Sequence, residues 1–514
     1  MNSFFLTDNF SGDIMVDYPF LGAQYHKDKT VFRVQSEHAA GMELCLFSPD
    51  EKEEIRIKMN KGDDNVWTAE VPAVKPGQKY GYRAYGEYDP SRGLFFNPAK
   101  LAVDPYGFEV SKTMDEWTSP LLDIENSHDS APVMPKSVVV DMKRIFDPEK
   151  YPHLQKRPSF PIAKDIIYET HIKNFSHLNT MLPREKRGKL SGLGDSWTLN
   201  YFKRLGVNNI ELMPIAPTCC GRQIQKREGR TDSWGYNPYC FFAVDPRYGN
   251  WEDFAAAVSE LHKAGIKVTV DAVFNHTGEH AATGERNQSL SFKLLDSPNY
   301  YRPDGDNRGR FMNSTGCDNN FNLDSPAGRG ILHNYLLLMH KLGVDGIRWD
   351  LGGDNALDNY GRFQEDGAFI QELRFATQKL GMEMYVEPWS AMEITAGGLR
   401  RWFPASRNGA TAAKTLSVNF SAAATVCSDN SAIRLPVLRM LILTPMKALS
   451  SEPDAVMTVS VCSAPISTRK TPILTGRKGG TAVLIFTPSH IMKRNCSAGP
   501  TAISLLTFSA KGYL

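Results

Sequence analysis

From about residue 165 the chain alternates between short apolar segments and amphipathic ones, and that rhythm restricts the folds open to it. DIIYETHI (165–172), NNIELMPI (208–215), IKVTVDAVFNH (266–276), DGIRWDL (345–351) and MEMYVEPW (382–389) read as strands. Between them SWTLNYFKRLG, WEDFAAAVSELHKAG, GRGILHNYLLLMHKLG and FIQELRFATQKLG read as helices, each closing on Gly: Gly206, Gly265, Gly343 and Gly381. Strand–helix alternation implies parallel strands joined by right-handed crossovers, in a doubly wound sheet or a (β/α)8 barrel. Polar groups decide between them. Asp271, Asn275 and His276 end the third strand, Arg348 and Asp350 the fourth, and Glu387 the fifth. Side chains converging from the C-terminal ends of consecutive strands mark the functional face of a barrel. A doubly wound sheet would carry a Gly-rich phosphate turn, and the first strand–helix connection has no GxGxxG. The expectation is a (β/α)8 barrel.

Ahead of it, TVFRVQS, MELCLFS, EIRIKM, VWTAEVP and KYGYRAYG alternate with period two between turn residues, predicting an all-β sandwich over 18–110. Residues 1–17 form a lead, 111–164 a connector, and 165–404 supply barrel strands one to five.

Two carboxylates from neighbouring strand ends are the minimum equipment for glycoside hydrolysis with retention. Asp350 is the candidate nucleophile. Arg348, two residues earlier on the same strand face, would keep it ionised. Glu387, between Val386 and Pro388-Trp389, has a partly apolar setting that raises its pKa toward general-acid duty. Sugar rings stack on flat apolar faces, and Trp234, Tyr236, Tyr239, Phe241 and Phe242 cluster in DSWGYNPYCFFAVDPRYG. Phe241 and Phe242 read as hydrophobic anchors, and Tyr236 as the stacking ring. His276 and His280 lack an HExxH pattern, so no metal site and no cofactor is expected.

These residues resemble the α-amylase superfamily (glycoside hydrolase family 13), and within it the isoamylase and bacterial glycogen-debranching group. DAVFNH (271–276), GIRWDL (346–351) and YVEPW (385–389) are similar to three of the family's shared regions, in order. YGYRAYGEYDPSRGLFFNPAKLAVDPYG, IIYETHIKNFSHLN and NSTGCDNNFNLDSP carry the likeness to the debranching group. The resemblance implies Asp350 as nucleophile and Glu387 as acid/base, with Tyr236, Asp271, Asn275, His276, Arg348 and Trp389 binding substrate. It implies hydrolysis of α-1,6 branch points in glycogen, a branched α-glucan or a limit dextrin. A glucan-branching transferase, which shares both carboxylates, and a non-catalytic α-glucan-binding protein are the alternatives.

The last 110 residues break the pattern. Residues 405–514 hold 12 Lys and Arg but three acids (Asp429, Glu452, Asp454), whereas 1–404 hold 47 basic and 54 acidic residues. All eight Trp lie at or before Trp402. The family's third carboxylate follows a His, and no His-Asp pair occurs after Glu387. Five strands cannot close an eight-stranded barrel, so the expectation is a barrel incomplete after the fifth strand and a poorly ordered tail. A reading-frame shift near Pro404 accounts for the coincidence. Ser406-Arg407-Asn408-Gly409-Ala410 can be encoded so that another frame reads Pro-Glu-Trp-Arg, similar to what the family shows there. A divergent domain is the alternative.

Overall charge excludes little else. Fifty-nine basic and 57 acidic residues give +2, which argues against a nucleic-acid partner. No run of about 18 apolar residues predicts a membrane span. MNSFFLTDNF does not read as a secretory leader, and eight dispersed Cys fit reduced thiols, so a cytoplasmic protein is expected.

Overall fold

The structure, a computed structural model, describes residues 20–114, 122–219, 234–284 and 288–387, together with the backbone of 437–441 and 457–462. Its first part is two facing four-stranded antiparallel sheets. One orders β1 (Gly22–His26), β2 (Lys29–Gln35), β6 (Val66–Pro72) and β5 (Asn60–Lys61). The other orders β8 (Ser137–Val138), β7 (Lys79–Tyr85), β3 (Gly41–Phe47) and β4 (Glu54–Lys58). The period-two pattern is the cause: Phe32, Val34, Leu44, Tyr80 and Tyr82 point into the core and are fully buried. The strand β1 was not foreseen, because GAQYH has little alternation to show.

The sandwich packs against the barrel part of the chain. Phe242 is fully buried, stacking on Tyr106 at 4.9 Å between ring centroids and meeting Phe20 edge-on at 5.6 Å. The carboxylate of Asp296 accepts from the Glu37 backbone N–H at 2.7 Å and pairs with His38 Nδ1 at 2.8 Å. Phe241 and Phe242 are therefore core residues.

The second part is a parallel sheet of β9 (Ile166–Thr170), β10 (Asn209–Leu212), β11 (Lys267–Ala272), β12 (Gly346–Trp349) and β13 (Glu383–Val386), each paired with the next. The helices α1 (Ser196–Leu205), α2 (Trp251–Lys263), α4 (Pro326–Lys341) and α5 (Ala368–Lys379) connect them as expected. Gly206 has φ 73° and Gly343 φ 79°, the left-handed geometry that ends a helix without a Cβ clash. A further helix, α3 (Phe292–Tyr300), lies inside the β11–β12 connection. Its Pro298 and the non-helical Asp296 break the periodicity that would have announced it.

Two short segments of the tail are described by their backbone. Its backbone contributes β14 (Val437–Leu441) and β15 (Met457–Cys462), an antiparallel pair whose β15 runs parallel to β9. The seven strands order β13-β12-β11-β10-β9-β15-β14. The addition is thus at the first strand's edge, while among the described residues β13 has β12 as its sole neighbour and the barrel is unclosed. The remaining residues of 405–514, and the frame-shift reading that concerns them, lie outside the described residues. Among the described residues no helix is long and apolar enough to cross a membrane.

The interior of this sheet is charged where barrels are usually aliphatic. At the strands' N-terminal end, Lys267 Nζ lies 3.1 Å from Asp165 Oδ1 and 2.5 Å from Glu383 Oε1. The Tyr385 hydroxyl lies 2.8 Å from an oxygen of each of those carboxyl groups, its one proton serving one of them at a time, and Asn209 donates to Asp165. Lys267 is 3% exposed. Replacing it leaves the buried Asp165 carboxylate and the partly buried Glu383 without their cation, which costs about 3–5 kcal/mol. Lys267→Met is expected to lower the melting temperature at pH 7; an unchanged melt would show that the cluster does not hold the strands.

Candidate active site

At the opposite end of the strands everything converges on one guanidinium. Arg348 and Asp271 are register partners on β12 and β11. Arg348 Nη1 lies 2.5 Å from Asp271 Oδ2 and 3.5 Å from Asp350 Oδ1, and Nη2 pairs with Glu387 Oε1. Its Nε faces Glu211 Oε1 at 3.8 Å. Burial opposes charge on Arg348, but Asp271 and the other carboxylates carry its pKa well above the ordinary arginine value, so it stays a cation. Asp350 and Glu387, from consecutive strands, are thereby held against the same side chain.

Local backbone fixes both carboxylates. The Asp350 N–H donates to Ala272 O at 3.1 Å, and the Glu387 N–H to Trp349 O at 3.2 Å, extending the sheet pairing past the strand ends. Leu351 then adopts φ 42°, ψ 52°. A branched residue in this left-handed region stores about 1–3 kcal/mol, the kind of strain that gathers at functional sites. The conformation turns the Leu351 N–H toward Glu387 Oε2 at 3.0 Å. Asn275 holds Asp350 from the other side, donating Nδ2 to its carbonyl at 2.8 Å and to Oδ2 at 2.9 Å.

Burial raises the Glu387 pKa, opposed by Arg348 and assisted by the neighbouring charge of Asp350. Burial likewise pushes Asp271 up to about 7, although Arg348 pulls it down. Burial lowers His276, which stays neutral near pH 7. Its Nδ1 faces Asn275 Oδ1 and takes the proton, leaving Nε2 as an acceptor. Among the described residues, that Nε2 and Asp271 Oδ1 are buried with no hydrogen-bond partner. Buried orphan acceptors side by side with a guanidinium suit the hydroxyl donors of a sugar.

Of the residues expected from sequence, Tyr236, Asp271, Asn275, His276, Arg348, Asp350 and Glu387 come together; Trp389 lies outside the described residues. Tyr236 donates its hydroxyl to Asp271 Oδ2 at 2.7 Å. Asn275 donates its amide N–H groups to Asp350 and faces His276 Nδ1 with its Oδ1, so it also positions the carboxylate. The closest partners of Arg348 are Asp271 and Glu387, with Asp350 farther off. Glu211 was missed altogether. Its one sequence signal is a lone acid in the apolar strand NNIELMPI, and burial, then the charge of Glu169, raises its pKa well above the ordinary carboxylate value.

Asp271 supplies a pH test. Its folded pKa of about 7 exceeds the ordinary 3.8, so folding takes up a proton there. The cost of its buried charge is absent below about pH 4, grows through the interval and is complete above 7. Asp271→Asn should therefore gain stability relative to the native chain as pH rises from 4 to 7. Parallel denaturation curves across that range would contradict this.

Comparison with known proteins adds a second, independent line. Residues 20–107 match the carbohydrate-binding module 48 family (isoamylase N-terminal domain), and 166–348 match the alpha amylase catalytic domain. The glycogen debranching enzyme of Serratia proteamaculans is 35% identical over 391 residues, covering 74% of this chain and 56% of that protein. That of Klebsiella pneumoniae (strain 342) is 34% identical over the same shares. The chain thus spans about half the length of the curated relatives it matches. Among solved structures, the pullulanase from Bacillus acidopullulyticus superposes with a TM-score of 0.55 at 23% identity, over 72% of this chain and 42% of that one. The pullulanase from Anoxybacillus sp. LM18-11, complexed with maltotetraose, gives 0.54 at 24% identity, over 72% and 49%. Both share the fold.

Proposed function

We propose, for a chain that belongs to the α-amylase superfamily (glycoside hydrolase family 13) in its isoamylase and glycogen-debranching group, that its site hydrolyses α-1,6 branch linkages of glycogen or a limit dextrin. The supporting observation is the guanidinium of Arg348, which gathers carboxylates from the third, fourth and fifth strands at one point. Asp350 is the nucleophile that attacks the anomeric carbon. Glu387 protonates the departing oxygen and then activates water, so configuration is retained. The raised pKa of Glu387 suits the acid role. Asp271 Oδ1 and His276 Nε2 accept hydroxyls of the same glucose, Tyr236 stacks on it, and Asn275 fixes the nucleophile. Trp389, two positions after Glu387 in the sequence, is assigned to substrate binding on the resemblance alone. We read 18–110 as the glucan-binding module, 165–404 as the catalytic part, and the protein as cytoplasmic.

A second reading has its own motive. The missing His-Asp after Glu387 removes the acid that the family places opposite these two, which favours an α-glucan-binding chain without turnover. Both readings are tested by assaying this chain beside a version whose frame is restored after Pro404, on β-limit dextrin. Linear chains released by the restored version, with little or none from the present one, are expected. New branches would indicate a transferase, and no product from either would end the hydrolase reading.

In the active version Glu387→Gln should lower kcat about 10²–10⁴-fold. Because the acid must be protonated, the native rate should fall as pH rises through the raised Glu387 value. The Gln variant should lose that alkaline limb; a limb that persists would assign the acid to another group.

A further inference from the structure

The loop after β12 is built around one exposed ring. Asp358 accepts the backbone N–H of Tyr360 at 2.9 Å and of Arg362 at 3.0 Å on Oδ1. Its Oδ2 takes Arg362 Nε at 2.8 Å and Gln364 Nε2 at 3.2 Å. Gly361, at φ 73°, closes the turn. What this turn presents is Tyr360, 61% exposed. The ring cannot swing freely. Its hydroxyl donates to Asp306 Oδ1 at 3.0 Å, on the hairpin of Pro303–Asp304 and Asn307–Phe311, and the Arg362 guanidinium lies 5.2 Å from its centroid.

Holding an exposed aromatic still costs side-chain entropy that a hydrated surface loop does not need to spend. A tie between loop and hairpin alone would be served by any hydroxyl or amide. With the Arg362 guanidinium over one side of the ring, the opposite side is a flat apolar face, fixed in orientation beside a carboxylate, which is what the C–H face and hydroxyls of a pyranose require. The loop leaves the same strand end as Asp350. Ten residues separate the two in sequence, so their backbones lie within about 35 Å at most.

We infer that Tyr360, with Asp306 and Arg362, forms an accessory subsite on the rim of the cleft that stacks one glucose of an α-1,4-glucan chain. The inference rests on the α-glucan reading of the cleft itself. Its role is to hold a long outer chain of a branched substrate, so it acts on polymers and long oligosaccharides.

A site-resolved experiment separates this subsite from the rest of the protein. The full chain is labelled with 3-fluorotyrosine, and the Tyr360 ¹⁹F resonance is identified by its loss in Tyr360→Phe. Titration with maltoheptaose should shift that resonance saturably. Retardation in glycogen-containing native gels should weaken about threefold in both Tyr360→Ala and Tyr360→Leu, since leucine restores apolar bulk without a flat face, and should persist in Tyr360→Phe. A Tyr360 signal that stays put while other tyrosines respond to maltoheptaose overturns the subsite and leaves the α-glucan reading standing. Equal retardation of the native, Ala and Leu chains does the same. No tyrosine response and no retardation of the native chain would remove the α-glucan reading, and this subsite with it.

Discussion

A single partly buried cation organises the functional end of this molecule. Arg348 is the one base in contact with Glu211, Asp271, Asp350 and Glu387 among the described residues. Four carboxyl groups cannot all be ionised against one guanidinium in a site sheltered from water. The outcome is a division of labour set by environment. Burial raises Glu211, Asp271 and Glu387, while Asp350 is held by the amide of Asn275 and touches Arg348 at longer range.

The same economy appears at the far end of the strands, where Lys267 pairs with Asp165 and Glu383. The sheet interior is thus a stack of two ionic layers, each centred on one base. Such layers depend on register: sliding any strand by one residue would turn its charges away from their partners. Ionic layers of this kind tie strand pairing to site geometry more tightly than an aliphatic filling would.

Much of this was legible in the sequence, because the signals are local. The strand–helix rhythm, the closing glycines and the polar residues at strand ends each sit within a few positions of one another. Asp271, Arg348, Asp350 and Glu387 could be placed on one face from chain order alone. What escaped depends on contacts between distant residues. Asn275 lies beside His276, and its hydrogen bond to Asp350 joins residues 75 positions apart. Glu211 drew no reading from the sequence, and it is the strand pairing that puts it beside Arg348. The helix Phe292–Tyr300 hid behind its own proline. The composition of the tail announced a break in the barrel, but gave no sign that two of its segments would pair at the edge of the first strand.

The central claim is spatial: one glucose ring fits between Asp350 and Glu387. A crystal structure of the chain with maltotetraose tests it without requiring turnover. The account predicts an anomeric carbon about 3–3.5 Å from an Asp350 carboxyl oxygen, with Glu387 within hydrogen-bond reach of the adjoining bridging oxygen. A sugar bound elsewhere, or the two carboxyl groups about 6.5 Å or more apart, the spacing of an inverting rather than a retaining pair, would contradict it.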